Sequence, residues 1–189
     1  VVSSESLGDF ITAHEGDDRL HSSAAYAVNN SDVVVGISAG WPITDVTPDK
    51  DMSFYFTRNY AFIHKGEELI DITDRDEYIG SALVDINDNN IAVGYFRKLV
   101  NGSERNKFAY VDTSSDDLTP ILPQDYFLGS DSIARAINEQ GIIVGDGQVE
   151  THNDDPRRGG SPRRREAFMY NIATETFTNL NSLLECNSA

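Results

Sequence analysis

The side chains able to do chemistry are numerous acids, four histidines and one cysteine, and their spacing decides what they can do. Asp85-Ile86-Asn87-Asp88-Asn89-Asn90 puts oxygen atoms at alternate positions, as the first, third and fifth places of a calcium loop require. The sixth place is Asn90 and the twelfth is Phe96, where such a loop wants a glycine and a bidentate glutamate. Two related stretches carry Ala27 and Ala136 in place of Asp85, so a turn accounts for all three and a metal for one. His14, His21, His64 and His152 form no i, i+4 pair and have no cysteine nearby, so zinc spacing is absent; His152-Asn153-Asp154-Asp155 is a denser polar group among loop-type residues. No Gly-x-Ser-x-Gly offers a strained nucleophile, and Arg158-Gly159-Gly160-Ser161 lacks the strand and spacing of a phosphate loop. Adjacent acids such as Asp17-Asp18 and Asp116-Asp117 read as solvated turn residues. No catalytic residue, metal or cofactor is expected.

Something must hold these residues, and composition bounds what it is. The chain has 189 residues, 39% of them hydrophobic, enough for one domain that buries roughly 70% of its unfolded surface without disulfides. Its single cysteine, Cys186, excludes an internal disulfide framework. Fifteen basic against 31 acidic residues give a net charge of −16, which repels a phosphate backbone and argues against nucleic acid as a partner. No run approaches the roughly eighteen apolar residues of a membrane span.

The chain repeats itself. A serine, an asparagine six positions on, and Val-Gly six and seven positions further occur at Ser23, Asn29 and Val35-Gly36, at Ser81, Asn87 and Val93-Gly94, and at Ser132, Asn138 and Val144-Gly145. Each copy continues with an aromatic-flanked alanine: Tyr60-Ala61-Phe62-Ile63, Phe108-Ala109-Tyr110-Val111 and Glu166-Ala167-Phe168-Met169. A third block follows each: Leu69-Ile70-Asp71-Ile72, Leu118-Thr119-Pro120-Ile121 and Phe177-Thr178-Asn179-Leu180. The divisions are 1–22, an N-terminal strand or partial repeat, then repeats at 23–80, 81–131 and 132–189.

Every block is short, rich in β-branched and aromatic residues and bounded by Asn, Asp, Gly or Ser, which is strand-and-turn composition. Val33-Val34-Val35 and Ile142-Ile143-Val144 read as central strands covered on both faces. Asn29-Asn30-Ser31-Asp32, Asn87-Asp88-Asn89-Asn90 and Asn138-Glu139-Gln140-Gly141 read as hairpin tips. Helix is expected only in short turns or around Ser182-Leu183-Leu184. The expected fold is all-β and propeller-like: three four-stranded antiparallel repeats, forming a partial propeller or one completed by an oligomer, since rings usually need about four to eight blades.

Length varies between the second and third strands, with 24, 14 and 21 residues separating Gly36 from Ala61, Gly94 from Ala109 and Gly145 from Ala167. These insertions would emerge on one rim, where repeat proteins commonly bind. They carry the candidate binding residues: Trp41, Tyr55 and Phe56 in the first, Tyr95 and Phe96 in the second, and Arg157, Arg158, Arg163, Arg164 and Arg165 in the third. Aromatic side chains beside acids could stack on sugars or seat a protein partner. The arginine-rich insertion has two prolines and no apolar side chain between Asp154 and Arg165, so a mobile loop is expected, with docking on an acidic partner, an anionic glycan or a neighbouring copy as its functional reading.

The Ser-Ala…Asn, Val-Val-Gly and Ala-Phe pieces, at Ser23, Asn29, Gly36, Ala61 and Phe62 and their counterparts, resemble the HAF repeats of bacterial extracellular proteins over roughly residues 22–184. The acidic, Asn-rich style resembles an uncharacterised exported family of marine gamma-proteobacteria. The name-giving histidine is replaced by Tyr60, Phe108 and Glu166. The resemblance implies export or surface display and a propeller-like fold, and no activity. The resulting expectation is a non-catalytic binding or scaffold module, with a protein or glycan partner and either further repeats or a second copy beside it. The alternative is a polysaccharide-active enzyme segment with its site on the insertion rim.

Overall fold

The three asparagine tips fold alike, hydrogen bond for hydrogen bond. In each, the asparagine carbonyl accepts the amide three residues on, Asp32, Asn90 or Gly141, at 3.1 Å. Those three residues have φ of 58°, 63° and 73°, a left-handed conformation that Asp, Asn and Gly tolerate best. The side-chain carbonyls of Asn29, Asn87 and Asn138 accept the amides four residues on, of Val33, Ile91 and Ile142, which starts the outgoing strand.

The computed structural model describes residues 7 and 10 and residues 22–40, 58–151 and 163–184. The described residues form three antiparallel sheets of four, three and four strands, none of them closed. The first holds β1 (Ser23–Val28), β2 (Val34–Gly40), β3 (Arg58–Lys65) and β4 (Glu68–Asp71), in that spatial order. The second holds β5 (Gly80–Ile86), β6 (Ile91–Val100) and β7 (Ser103–Asp112). The third holds β8 (Ser132–Ile137), β9 (Ile142–Gln148), β10 (Arg165–Asn171) and β11 (Thr176–Asn179), and a 3-10 helix, Leu180–Leu183, follows it. The expected N-terminal strand at 1–22 lies almost wholly outside the described residues.

One bulge recurs in every sheet. The first strand carries an extra residue between Ala25 and Ala27, between Leu83 and Asp85, and between Ala134 and Ala136. The bulge interrupts the simple alternation that β1 suggests, so Ala25 and Tyr26 are both exposed. The carbonyl just before it presses onto the second strand: a Cβ on Gly36, Gly94 or Gly145 would lie 2.0, 1.9 or 2.2 Å from the carbonyl oxygen of Ala24, Ala82 or Ile133. The Val-Gly of the repeat therefore answers to a close backbone approach.

Four sequence expectations change. The second sheet lacks a fourth strand, because Pro120 removes a ladder donor; the block 118–121 makes only the Tyr110–Ile121 bridge. The second insertion is no loop: β6 and β7 run on as a hairpin of two ten-residue strands closed by Asn101-Gly102, both at positive φ. In the middle copy the Ala-Phe block is displaced by one residue. Gly36 and Gly145 face Phe62 and Phe168, whereas Gly94 faces Ala109, so Phe108 stands where Ala61 and Ala167 do. The central runs also differ, since Val35 is fully buried but Val144 is 40% exposed on the outer face of the third sheet.

The sheets stack through their first strands, with β5 against β1, β2 and β3, and β8 against β5, β6 and β7. Two cores result. Val33, Val35, Ala61 and Ile63 meet Leu83, Ile86, Ala92 and Phe96 between the first and second sheets. Val93 and Phe108 meet Ala134, Ile143, Phe168 and Tyr170 between the second and third, with Phe108 and Phe168 centroids 4.7 Å apart. Gly94→Ala should cost about 3 kcal/mol in urea unfolding, the upper end for overpacking. Gly129→Ala, where the nearest atom is 3.6 Å from a new Cβ, should be nearly neutral.

Candidate functional site

The two ends of the sheets have different chemistry. At the tip end the repeats are tied in series: Asn29 Nδ2 donates to the Asn87 carbonyl at 3.1 Å, and Asn87 Nδ2 donates to the Asn138 carbonyl at 2.9 Å. A second rung lies beside it, with Asn30 N–H donating to the Asp88 carboxylate at 2.8 Å and Asp88 N–H to Glu139 at 3.1 Å. Asp85, the first place of the suggested calcium loop, accepts Ile137 N–H at 2.8 Å and so joins the second sheet to the third. Of the oxygens that suggested a metal loop, Asp85 Oδ2 is spent on joining two repeats and Asn87 Oδ1 on closing its own turn.

At the opposite end the serines of the second and third repeats each cap a backbone amide of the preceding sheet. Ser81 Oγ accepts Ala61 N–H at 2.7 Å, and Ser132 Oγ accepts Phe108 N–H at 3.1 Å. Each serine has a polar partner from the segment before it: Thr73 Oγ1 lies 2.5 Å from Ser81 Oγ, and Ser132 Oγ donates to Asp125 at 2.6 Å. Asp125 also meets Lys107 Nζ at 2.9 and 3.1 Å, and Lys107 donates further to the Phe127 carbonyl at 3.1 Å. Burial lowers the Lys107 pKa, and the bonds to Asp125 oppose that only in part. This serine, aspartate and lysine have the composition of a hydrolytic site without its geometry. All three are buried, the ammonium is committed to three acceptors, and the serine hydroxyl donates to a carboxylate.

Lys107 faces the same way as Tyr60 and Glu166 once the register is corrected, and each of these buried positions has its own solution. The Arg75 guanidinium lies 3.4 Å from the centre of the Tyr60 ring. Glu166 pairs with Arg164 and accepts from Asn179 Nδ2 at 2.6 Å.

Beyond these pins lies the rim where the strand-two to strand-three connections emerge. A cleft of about 250 Å³ opens there between the first and second sheets, lined by Arg58, Asn59, Gly80, Tyr95 and Arg97 among others. Glu104 reaches Arg58 at 3.3 Å and Arg97 at 3.7 Å. Two guanidinium groups against one carboxylate leave the cleft cationic in a strongly acidic protein. Arg105 and Arg163 both donate to the Gly129 carbonyl on the same rim, at 2.9 and 3.1 Å.

Of the candidate binding residues, Trp41, Tyr55, Phe56, Arg157 and Arg158 lie outside the described residues. Tyr95 lines the cleft. Phe96 does not reach solvent: it is fully buried, with its ring 5.0 Å from Tyr78, so it belongs to the core. Arg163, Arg164 and Arg165 are engaged, by Gln148, by Glu150 and Glu166, and by Asp146. These partners sit at the two ends of the insertion, on or next to β9 and β10, and not between Asp154 and Arg165, which is why the run looks unsupported in sequence. Arg58, Arg97, Lys107 and Asp125 went unnoticed; the one signal was that Thr73 and Asp125 precede their serines by eight and seven residues.

Strand order, stacked sheets and serially bonded tips define an all-β protein built from repeated antiparallel sheets. The chain belongs to the family described as a protein of unknown function, DUF3466, whose match spans residues 1–189. No curated protein and no solved structure matches it.

Asp125→Ala should cost about 3–5 kcal/mol, because it strands a buried ammonium; the double change Lys107→Met with Asp125→Leu should recover much of that in chemical denaturation. Asp146 offers a test in pH. Burial works to raise its pKa, but hydrogen bonds and charge from Arg135 and Arg165 outweigh this and hold it below the usual value. Its stabilisation is therefore complete above the unfolded pKa of about 3.9 and is lost as pH falls through the lower folded value. The melting-temperature gap between the parent and Arg135→Gln/Arg165→Gln should be largest near neutrality and shrink below about pH 4.

Proposed function

We propose that the chain is a non-catalytic binding module of an exported, HAF-like repeat protein, with propeller-like stacking of its sheets, and that it binds acidic ligands on the rim bearing the Arg58–Arg97 cleft. The observation that carries this reading is the division of labour between the two ends. Side chains of the first two tips are consumed in joining repeats, while the other end holds Arg58 and Arg97 in a cleft beside Tyr95 and carries Arg105 and Arg163 at the Gly129 carbonyl. In a protein of net charge −16 such a concentration steers anions to one place. A polymer bearing carboxylates suits two planar guanidinium forks and a phenol: the forks pair with carboxylates, and the ring stacks on a sugar face.

The reading favours an acidic glycan such as a polyuronate. In affinity electrophoresis, alginate is expected to retard the protein and neutral dextran is not. Retardation should fall with added salt, since exposed charges are screened within about 10 Å at 0.1 M. Arg58→Ser with Arg97→Ser should weaken it at least about fivefold, the loss of roughly 1 kcal/mol of charged contact. Equal retardation by alginate in the parent and the double variant would remove the site, and turnover of the polysaccharide abolished by one carboxylate substitution would establish the enzyme instead.

A further inference from the structure

The hydrogen-bonded series at the tips is unfinished at both ends, and the two ends are complementary. Within the series, each tip gives a side-chain amide and a backbone N–H to the next tip, which receives them on a backbone carbonyl and an acidic side chain. At the third tip Asn138 is exposed, and among the described residues neither its Nδ2 nor the Glu139 N–H meets an acceptor. At the first tip the Asn29 carbonyl accepts only Asp32 N–H among the described residues, and the exposed Asn30 carries an amide oxygen where Asp88 and Glu139 carry carboxylates.

The apolar faces beside the tips are open in the same complementary sense. Val35 and Val93 are fully buried against the following sheet, while Val144, their counterpart in the third sheet, is 40% exposed. Ala61 and Phe108 are fully buried, and Ala167 is exposed. At the other end of the stack, Ile86 inserts against the first sheet at 7% exposure, whereas Val28, which holds the same place in the first repeat, is 61% exposed. The third sheet thus ends on the face that the first two use to receive a neighbour, and the first sheet begins with the edge that the second uses to dock.

We infer that a second copy of this chain docks head to tail on the outer face of the third sheet, with Asn138 Nδ2 and Glu139 N–H donating to Asn29 and Asn30 of the incoming copy. The inference rests on the stacking reading above and continues an interface the chain already forms twice. The contact is heterologous, so two copies related by a twofold axis would make it twice and close a ring of six sheets, within the range of about four to eight that rings use. The third sheet's face also carries Arg135, Asp146 and Arg165, where the first has Tyr26, Ile37 and Asn59, so this contact is more polar than those inside the chain. Association is therefore expected in a micromolar-to-millimolar range rather than at nanomolar concentrations.

Sedimentation velocity of the full 189-residue chain over that range is expected to show a shift from 20.9 kDa to twice that mass. Val144→Asp, on the tail, and Val28→Asp, on the head, should each raise the midpoint concentration at least tenfold while leaving the far-UV β signal unchanged. Mixing the two variants pairs one sound head with one sound tail, so the mixture should associate more strongly than either variant alone. A 20.9 kDa species at every concentration overturns the inference, as does dimerisation abolished by Val144→Asp but untouched by Val28→Asp, which would mean two tails meeting. Either result leaves the binding module standing if alginate retardation persists; loss of alginate binding with the dimer intact would sink that reading and not this one.

Discussion

Asn29 and Asn87, at the tips of the first two repeats, each do two jobs that no other short side chain can combine. The side-chain carbonyl oxygen accepts backbone amides of its own turn, and the side-chain amide donates to the carbonyl of the next tip. Aspartate would supply the first function and lose the second, and serine has neither the reach nor the fixed pair of groups. Because one planar group fixes both the turn and the spacing to the next turn, local hairpin geometry and the stacking of whole sheets are set together. Asn29 and Asn87 are buried, so their bonds form where water cannot compete.

Around that constraint the remaining repeated residues fall into place. The left-handed residue at the fourth tip position lets the chain reverse, and the bulge in the first strand then turns its serine toward the preceding sheet. The bulge carbonyl forbids any side chain at Gly36, Gly94 or Gly145, and in two sheets the exposed glycine backbone is covered by Phe62 or Phe168 from the third strand. The charged rim lies at the far end, where no tip bond depends on it, so its residues vary from Tyr60 to Lys107 to Glu166 with a different partner each time.

What could be read from the sequence follows from how tightly each position is constrained. Ser, Asn and Val-Gly recur because backbone geometry admits few alternatives there, so the repeat, the strands and the tips were legible. Pro120 was visible, and its consequence, a single bridge in place of a strand, could have been drawn from its missing amide. The shift that puts Phe108 opposite Tyr95 was not, because Ala109 and Tyr110 imitate Ala61 and Phe62 in type while sitting one step out in register. Phe96 reads as a rim aromatic in sequence, but the Asn101-Gly102 turn makes the supposed loop a long hairpin, and Phe96 lies on a strand of it that faces the core. Lys107 and Asp125 stand 18 residues apart and share no pattern with their counterparts, so only three-dimensional placement joins them.

Capping an amide of one sheet with a serine from the next repeat also imposes an order in time. Ala61 waits for Ser81, 20 residues later, and Phe108 for Ser132, 24 residues later. At synthesis rates of about 5–20 residues per second, each amide leaves the ribosome on the order of seconds before its cap is made, while a hairpin forms in about 1–10 μs. A nascent repeat therefore stands folded with a backbone amide of its third strand uncapped, at Ala61 beyond the end of β4 and at Phe108 on the edge strand β7, for a long interval on the scale of its own dynamics. Translation speed, and whatever shields an open strand on an emerging chain, become determinants of yield for this protein that its finished stability does not reveal.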